Sequence, residues 1–269
     1  MIQRFVIARA SKSNWILLIL FGIFSIPVAS MALEPLTPQQ IAQKVFDRDL
    51  GSDMQMIGTM ELISKKGHIR IREFISMRKD TADERKQLIR FTSPADIKGT
   101  AFLTREKDNG QKTEQHLYLP ALKRTRRIVT SQKGRSFVNS DFTYEDMQRH
   151  PVEEWNYQLE ADTEILDLPC FVLVSTPKEG TNTQYSKIVS TIEKKHFMPL
   201  KISFWDKKNR QTKTYQVNQF EIIEEISTET IIIMADNRSG HKTRLTNRQI
   251  RYNSNLRDRL FTTRALERH

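Results

Sequence analysis

The sequence is almost free of cysteine. Cys170 is the only one in 269 residues, so no disulfide can form within the chain. It lies between Pro169 and Phe171, at the start of an apolar run that ends at Val174. A lone thiol in such a run is most often a small core side chain. We therefore expect Cys170 to be buried and assign it no redox or catalytic role.

Motifs for catalysis and metal binding are also missing. The chain has no Gly-x-Ser-x-Gly, His-Glu-x-x-His or Cys-x-x-Cys pattern, the signatures of hydrolases, metalloproteases and redox or zinc sites. The histidines lack the spacing of metal ligands; they include His68, His116, His150, His196 and His241. We predict no catalytic residue, no metal and no cofactor. A hydrolase whose residues meet only in the fold stays open as an alternative.

The strongly apolar run near the N-terminus is too short for a membrane-spanning helix. Trp15–Val28 falls below the ~20 apolar residues that such a helix needs. Three basic residues precede the run and Ser30-Met31-Ala32 follows it, which is the layout of a secretory signal peptide. We predict a signal peptide over residues 1–32 with cleavage after Ala32; an uncleaved N-terminal anchor is the alternative. The mature chain, residues 33–269, would then work in a bacterial periplasm.

Basic residues outnumber acidic ones, 43 against 32, for a formal net charge of +11. This excess of basic residues favours binding to anionic surfaces such as lipid head groups or an acidic partner. A charged surface that only interacts with solvent would also explain the excess. Nucleic acid would suit the charge, but the export signal argues against it. On a strand, Arg124 and Arg126 would share one side, with Arg127 opposite. Together with Lys123 they either bind a head group or partner, or keep an edge strand soluble.

Hydrophobic periodicity predicts a mainly β (α+β) protein. Thr37, Pro38 and Gln40 form the start signal of an amphipathic helix, and a long series of period-two segments with frequent turn signals follows it. A short helical insertion around Asp141–Met147 interrupts the series, and Leu256–Leu266 closes it as a short helix. Because helices and strands do not alternate, we expect one antiparallel sheet in a single domain over residues 33–269.

Large apolar residues are unusually frequent on the strand faces. An ordinary sheet core is the default interpretation, but a curved sheet covered only by short helices would leave a cavity, and Met and aromatic linings suit flexible acyl chains. The candidate cavity residues are Met56, Met60, Leu62, Ile71, Ile75, Met77, Phe91, Phe102, Trp155, Tyr157 and Phe204. The candidate lid residues are Phe142, Tyr144 and Met147.

Five segments resemble a known family across the mature chain: Arg90–Leu103, Leu117–Arg124, Ser140–Met147, Tyr185–Trp205 and Phe261–Arg268. With the signal peptide and capped helix, they resemble the periplasmic carriers of outer-membrane lipoproteins, the LolA/LolB-like superfamily. Within it they are similar to uncharacterised lipoprotein-sorting relatives. The resemblance implies a strongly curved antiparallel sheet, open as a half-barrel, with helices over a concave apolar cavity. It also implies association with inner-membrane exporters of the resistance-nodulation-division type.

These observations predict a non-enzymatic periplasmic carrier. It would hold the acyl chains of a lipoprotein, a lipid or another amphiphile, for transfer towards the outer membrane or beside an exporter. The alternative is an envelope sensor or exporter accessory that carries no cargo and docks to a protein partner by its sheet edge. An unrecognised periplasmic hydrolase is the third hypothesis.

Overall fold

One antiparallel sheet accounts for most of the protein. The computed structural model describes residues 35–107 and 110–268, and thirteen strands lie in that part of the chain. The strands are β1 Asp53–Ile63, β2 Ile69–Asp80, β3 Glu84–Ser93, β4 Ala101–Lys107, β5 Lys112–Leu119, β6 Arg124–Arg127, β7 Trp155–Ile165, β8 Leu168–Pro177, β9 Tyr185–Glu193, β10 Pro199–Asp206, β11 Gln211–Ile223, β12 Ile226–Asp236 and β13 Lys242–Tyr252.

The sheet consists of two series of consecutive hairpins, β1–β6 and β7–β13, which are joined by the pairing of β1 with β13. The sheet runs β6-β5-β4-β3-β2-β1-β13-β12-β11-β10-β9-β8-β7. The first strand therefore pairs with the last, and β6 and β7 are left as the two edges. Every pairing is antiparallel. The predicted antiparallel half-barrel, open rather than closed on itself, is confirmed.

The N-terminal helix α1 spans Pro38–Phe46 and begins where its cap predicts. The Gln40 amide donates to Thr37 Oγ1 at 3.2 Å, and the Thr37 amide donates to Gln40 Oε1 at 2.8 Å, which satisfies two free donors of the first turn. Ile41 and Ala42 are buried in a cluster with side chains of β8 and β9. The helix thus covers one end of the concave face.

The remaining helical segments are short. Helix α2 spans Thr263–Leu266, and it packs on the outer, convex face of the sheet. Five 3-10 turns complete the described structure: Pro120–Leu122, Thr130–Gln132, Glu145–Met147, Val152–Glu154 and Asp258–Phe261. The helical insertion predicted near Asp141–Met147 is therefore one 3-10 turn. We call residues 133–150 the plug.

Strand register separates the concave from the convex side chains. Residues directly opposite in an antiparallel pair share a face, and Gly58 lies opposite Phe74 in the pairing of β1 with β2. A β-carbon at Gly58 would meet the Phe74 ring at 2.2 Å, so only glycine lets this ring lie across β1. Phe74 and Met60 both belong to the concave core.

The same register corrects three of the predicted cavity residues. Ile71, Ile75 and Met77 lie opposite Glu61, Ile57 and Gln55 and therefore point to the convex face. Ile71 is 54% exposed, and Met77 packs beneath the C-terminal segment in a cluster with Leu88, Phe261 and Leu266.

Arginines on the concave side of β2 explain why the prediction placed Ile71, Ile75 and Met77 on the wrong face. Arg72 and Arg78 alternate with the isoleucines, and both are buried. Their guanidiniums donate to the carbonyl oxygens of Val138 and Leu50, respectively. The period-two pattern is genuine, but its polar side faces inward here because backbone acceptors are available there.

The predicted signal peptide, residues 1–32, lies outside the described residues. None of the helices in the part that is described is both long and apolar enough to cross a lipid bilayer.

Candidate functional site: an apolar cavity beneath the plug

The plug fills part of the concave face. Phe137 is 1% exposed, and its ring centroid lies 5.0 Å from that of Phe102, 5.8 Å from Tyr144 and 6.2 Å from Phe91. Tilted and edge-on aromatic pairs at these distances stabilise the packing beyond the area that they bury. This side of the half-barrel is therefore a packed core. The predicted cavity residues Phe91, Phe102 and Leu62 and the predicted lid residue Tyr144 belong to it.

Two apolar compartments remain next to the plug on the concave face. The larger, about 460 Å³, is lined by the predicted residues Trp155, Tyr157 and Phe204. The smaller, about 360 Å³, is lined by Met56, Met60 and Met147. Both are within the usual range of small-molecule sites, roughly 300–1,000 Å³. The structure thus gathers seven of the predicted residues, Phe142 included, around open space.

The compartments adjoin at Phe142 and Tyr215, which line both of them. The remaining apolar lining includes Ile188 and Ile202 in the larger compartment and Ile232 in the smaller one. Thioether and aromatic side chains can repack around a flexible chain at low cost. The arrangement can therefore hold a bent or two-chained apolar ligand, with Phe142 between its parts.

A buried ion pair fixes the plug to the sheet. Asp146 and Lys213 pair directly, with side chains only 5% and 7% exposed. The Tyr185 hydroxyl donates to Asp146 Oδ1 at 2.6 Å, and the Thr143 amide donates to Oδ2 at 2.7 Å. Burial, together with the adjacent carboxylate, raises the pKa of Tyr185 well above its ordinary value, so its hydroxyl remains a proton donor. We call Asp146, Lys213 and Tyr185 the latch.

Further polar contacts hold the plug on both sides of the latch. Asp141 Oδ2 accepts a hydrogen bond from Thr243 Oγ1 at 2.7 Å and lies 2.7 Å from His241 Nδ1. Gln115 Nε2 donates to the Tyr144 carbonyl at 2.7 Å, and the Gln184 amide donates to Glu145 Oε2 at 3.1 Å. The plug is therefore tied to several strands of the sheet.

Protonation of His150 is disfavoured in the folded state. Its ring is edge-on to Trp155, with centroids 5.2 Å apart, and burial lowers its pKa below the ordinary value. The carboxylates that oppose this effect are those of Glu145, Asp146, Glu106 and Glu154. Burial also lowers the pKa of His116. Once the pH approaches the ordinary histidine value of about 6.5, the unfolded chain binds more protons than the folded protein.

We expect these two histidines to destabilise the protein in acid. Their contribution to stability is fully present above about pH 6.5 and is lost as the pH falls towards their lowered folded-state pKa. His150→Gln should reduce this loss, and H116Q/H150Q should remove most of it. Urea unfolding at about pH 7.5 and about pH 5.5 measures the difference. An unchanged loss in the double variant would assign it to carboxylates instead.

The basic run lies on the edge of the sheet, away from the compartments. Lys123 occupies a left-handed turn with φ 46°, and Arg124, Arg126 and Arg127 lie on β6. The alternation predicted from the sequence is confirmed, because Arg124 and Arg126 lie opposite Leu119 and Leu117 whereas Arg127 lies opposite His116. All four basic side chains are exposed. Their role in head-group or partner binding stays a prediction.

Within residues 35–107 and 110–268, no group of three or more His, Cys, Asp or Glu side chains is placed to hold a metal ion. Cys170 is fully buried, as predicted, and burial raises its thiol pKa.

Comparison with known proteins assigns the chain to a family. A family model described as an uncharacterized protein matches residues 83–268. The crystal structure of a DUF1329 family protein from Desulfovibrio piger is 30% identical, with a TM-score of 0.80, over 85% of this chain and 97% of that chain. This chain belongs to the DUF1329 family.

Two further structures relate the DUF1329 family to lipoprotein-sorting folds. A putative outer membrane lipoprotein-sorting protein domain from Vibrio parahaemolyticus is 30% identical, with a TM-score of 0.79, over 86% of this chain and 98% of that chain. A LolA superfamily protein from Nitrosomonas europaea is 22% identical, with a TM-score of 0.66, over 86% and 100%, and it shows the shared fold. The predicted LolA-like resemblance is confirmed. No curated protein matches this chain.

Proposed function

We propose that this DUF1329 protein is a periplasmic carrier that holds the acyl chains of a lipoprotein, a lipid or another amphiphile. The observation that carries the proposal is the pair of apolar compartments on the concave face, roofed by α1 and by a plug that polar contacts hold in place. The similarity to the putative outer membrane lipoprotein-sorting protein domain from Vibrio parahaemolyticus supports it. The role is binding and release, without catalysis.

Burial of an acyl chain gives enough free energy for a carrier. Each buried methylene contributes ~0.8 kcal/mol, so ten methylenes give about 8 kcal/mol before the costs of association and ordering are subtracted. The ligand must also replace the plug contacts that open for its entry. These opposing terms favour a moderate affinity, which allows both uptake and release.

In this proposal the basic run of β6 meets the anionic membrane surface or an acidic partner surface. Its arginines are exposed on an edge strand, where guanidiniums remain available to phosphate groups. Transfer beside a resistance-nodulation-division exporter, or onward to the outer membrane, remains a prediction of the family resemblance.

Mass spectrometry of organic extracts tests the proposal directly. The full chain would be purified from the periplasm without detergent, and an amphiphile should be recovered in stoichiometric amount. An empty protein that also takes up no apolar dye would instead favour the module that docks to a protein partner.

Filling the larger compartment should reduce ligand binding. Ser190 lines this compartment on β9, and Ser190→Trp would place a large ring where the chain lies. Loss of two buried methylenes removes about 1.6 kcal/mol, so we expect at least a roughly ten-fold weaker affinity in titrations with a fluorescent fatty acid.

The matched control is Gln216→Trp, an exposed position that follows Tyr215 on β11 and therefore points to the other face. It should bind the fluorescent fatty acid like the native protein. Equal affinities for the two tryptophan variants would place the ligand somewhere other than this compartment.

A further inference from the structure

The tip of the β1–β2 hairpin exposes apolar side chains that the proposed function does not use. Ile69 is 55% exposed and Ile71 is 54% exposed. They lie two residues apart on β2 and therefore point to the same, convex face. Ile63 lies opposite Ile69 on β1 and is half-buried. These three isoleucines form one apolar surface, which we call the tip patch.

Basic residues surround the tip patch. Lys65 and Lys66 lie in the turn that closes the hairpin, Arg70 lies on β2 within the patch, and Lys242 lies opposite Ile63 on β13. All four basic side chains are exposed, and none of them makes an ion pair or a side-chain hydrogen bond within the described part of the chain. The four cations are therefore available to a partner.

The carboxylates near the patch do not cancel this charge. The sequence has no acidic residue between Glu61 and Glu73, and Glu61 is paired with Arg244 at 3.4 Å. Glu73 on β2 and Asp96 in the β3–β4 connection have no ion pair among the described residues. When both are counted against the four cations, the charge around the patch is still positive.

The adjoining β12–β13 turn adds no free carboxylate. Asp236 is paired with Arg238 at 2.8 Å, and the carboxylate of Asp141 is buried in the plug contacts described above. Lys65 packs against this turn, since a β-carbon at Gly240 would lie 3.3 Å from Lys65 Cγ. The two turns therefore form one continuous surface.

The chemistry of the tip patch fits an anionic lipid surface. Exposed apolar side chains enter the interfacial region of a bilayer, neighbouring basic side chains are attracted to anionic lipids, and the two contributions add. The patch is far smaller than the roughly 20–30 residues a side of a stable protein interface. A lipid surface is therefore a better partner for it than a folded protein.

We propose that the tip patch inserts its isoleucines into the interfacial region of an anionic bilayer, while Lys65, Lys66, Arg70 and Lys242 bind the lipid phosphates. This contact goes beyond the proposed function, in which the β6 run alone meets the membrane. It does not depend on the cargo.

Binding of the full chain to lipid vesicles tests the proposal. Vesicles of phosphatidylcholine alone would be compared, by co-sedimentation, with vesicles that contain an equal amount of phosphatidylglycerol. Each cation near an anionic surface adds about five-fold in affinity, so the mixed vesicles should bind the native protein at least roughly ten-fold more tightly. High salt should weaken this binding, because it screens exposed charges.

Two variants separate the apolar contribution from the charged one. I69S/I71S should weaken binding to the mixed vesicles by roughly ten-fold and leave its salt dependence unchanged. K65Q/K66Q should weaken binding by roughly ten-fold or more and should also reduce the salt dependence. Neither variant should change the affinity for the fluorescent fatty acid, because none of these residues lines a compartment.

Matched controls lie at the opposite ends of the strands. L166S/I222S removes two apolar side chains of similar exposure, 53% and 54%, from the β7–β8 turn and the end of β11. K195Q/R257Q removes two exposed cations, one in the β9–β10 connection and one after β13. Both control variants should bind the mixed vesicles like the native protein.

The possible outcomes separate this contact from the carrier function. If the native protein binds neither kind of vesicle, or binds both equally, the membrane contact is wrong. The carrier function would stand, because the fatty-acid titration measures it separately. Equal losses in I69S/I71S and L166S/I222S would overturn the site in favour of general surface hydrophobicity. Equal losses in the two charge variants would overturn it in favour of the overall charge of the protein.

Discussion

The substitution Phe137→Ala is expected to lower the free energy of unfolding by about 3–5 kcal/mol. The ring is 1% exposed and lies at the centre of the aromatic cluster formed by Phe91, Phe102 and Tyr144. Its removal would lose the transfer free energy of the ring and leave a hole that rigid aromatic neighbours cannot close.

Urea unfolding followed by circular dichroism measures this loss. Phe197→Ala is a suitable comparison, because that ring is half-buried near α1 and stacks on Phe171 at 6.4 Å. Phe197→Ala should lower the free energy of unfolding by less than half as much as Phe137→Ala. If the two substitutions cost the same, Phe137 does not anchor the plug, and the filled side of the half-barrel would need another explanation.

The second large effect is expected for Lys213→Met in the latch. This change leaves the Asp146 carboxylate, 5% exposed, without its cation, and removal of one partner of a buried pair costs about 3–5 kcal/mol. Tyr185 continues to donate at 2.6 Å, but a neutral donor does not replace an ammonium group. We also expect faster amide hydrogen exchange in residues 142–147 than in β1, because the plug would open before the sheet unfolds.

An exposed ion pair provides the matched control for the latch. Arg244 lies 3.4 Å from Glu61, with side chains 46% and 25% exposed. Arg244→Met should therefore change stability by no more than about 1 kcal/mol and leave exchange in the plug unaltered. If Lys213→Met behaves like Arg244→Met, the latch does not hold the plug closed.

The plug explains how a filled core and open apolar compartments can share one sheet. Phe137 closes one part of the concave face, whereas Phe142, five residues later, lies between the two open compartments. The latch connects this segment to β9 and β11, the strands beside the larger compartment. Opening at the latch would therefore expose the compartments while the Phe137 cluster keeps the plug attached.

Local features of the sequence determined most of the secondary structure. The Thr37–Gln40 capping box places the start of α1, and both of its hydrogen bonds form. The alternation in Tyr185–Lys194 and Lys242–Ile250 predicts strands that the structure has as Tyr185–Glu193 and Lys242–Tyr252. These features depend only on neighbouring residues, since side chains alternate in a strand and caps act within one helical turn.

Tertiary structure alone decided which face of each strand is inside. Strand β2 carries apolar side chains on both faces, and its pairing with β1 places Phe74 inward and Ile71, Ile75 and Met77 outward. The position of Phe137 in the aromatic cluster and the ion pair of Arg48 with Glu229 could not be predicted from the sequence either. Their contacts join residues far apart in the chain, such as Arg48 and Glu229. A period-two pattern fixes alternation but not its sign, because the sign depends on what packs against the strand.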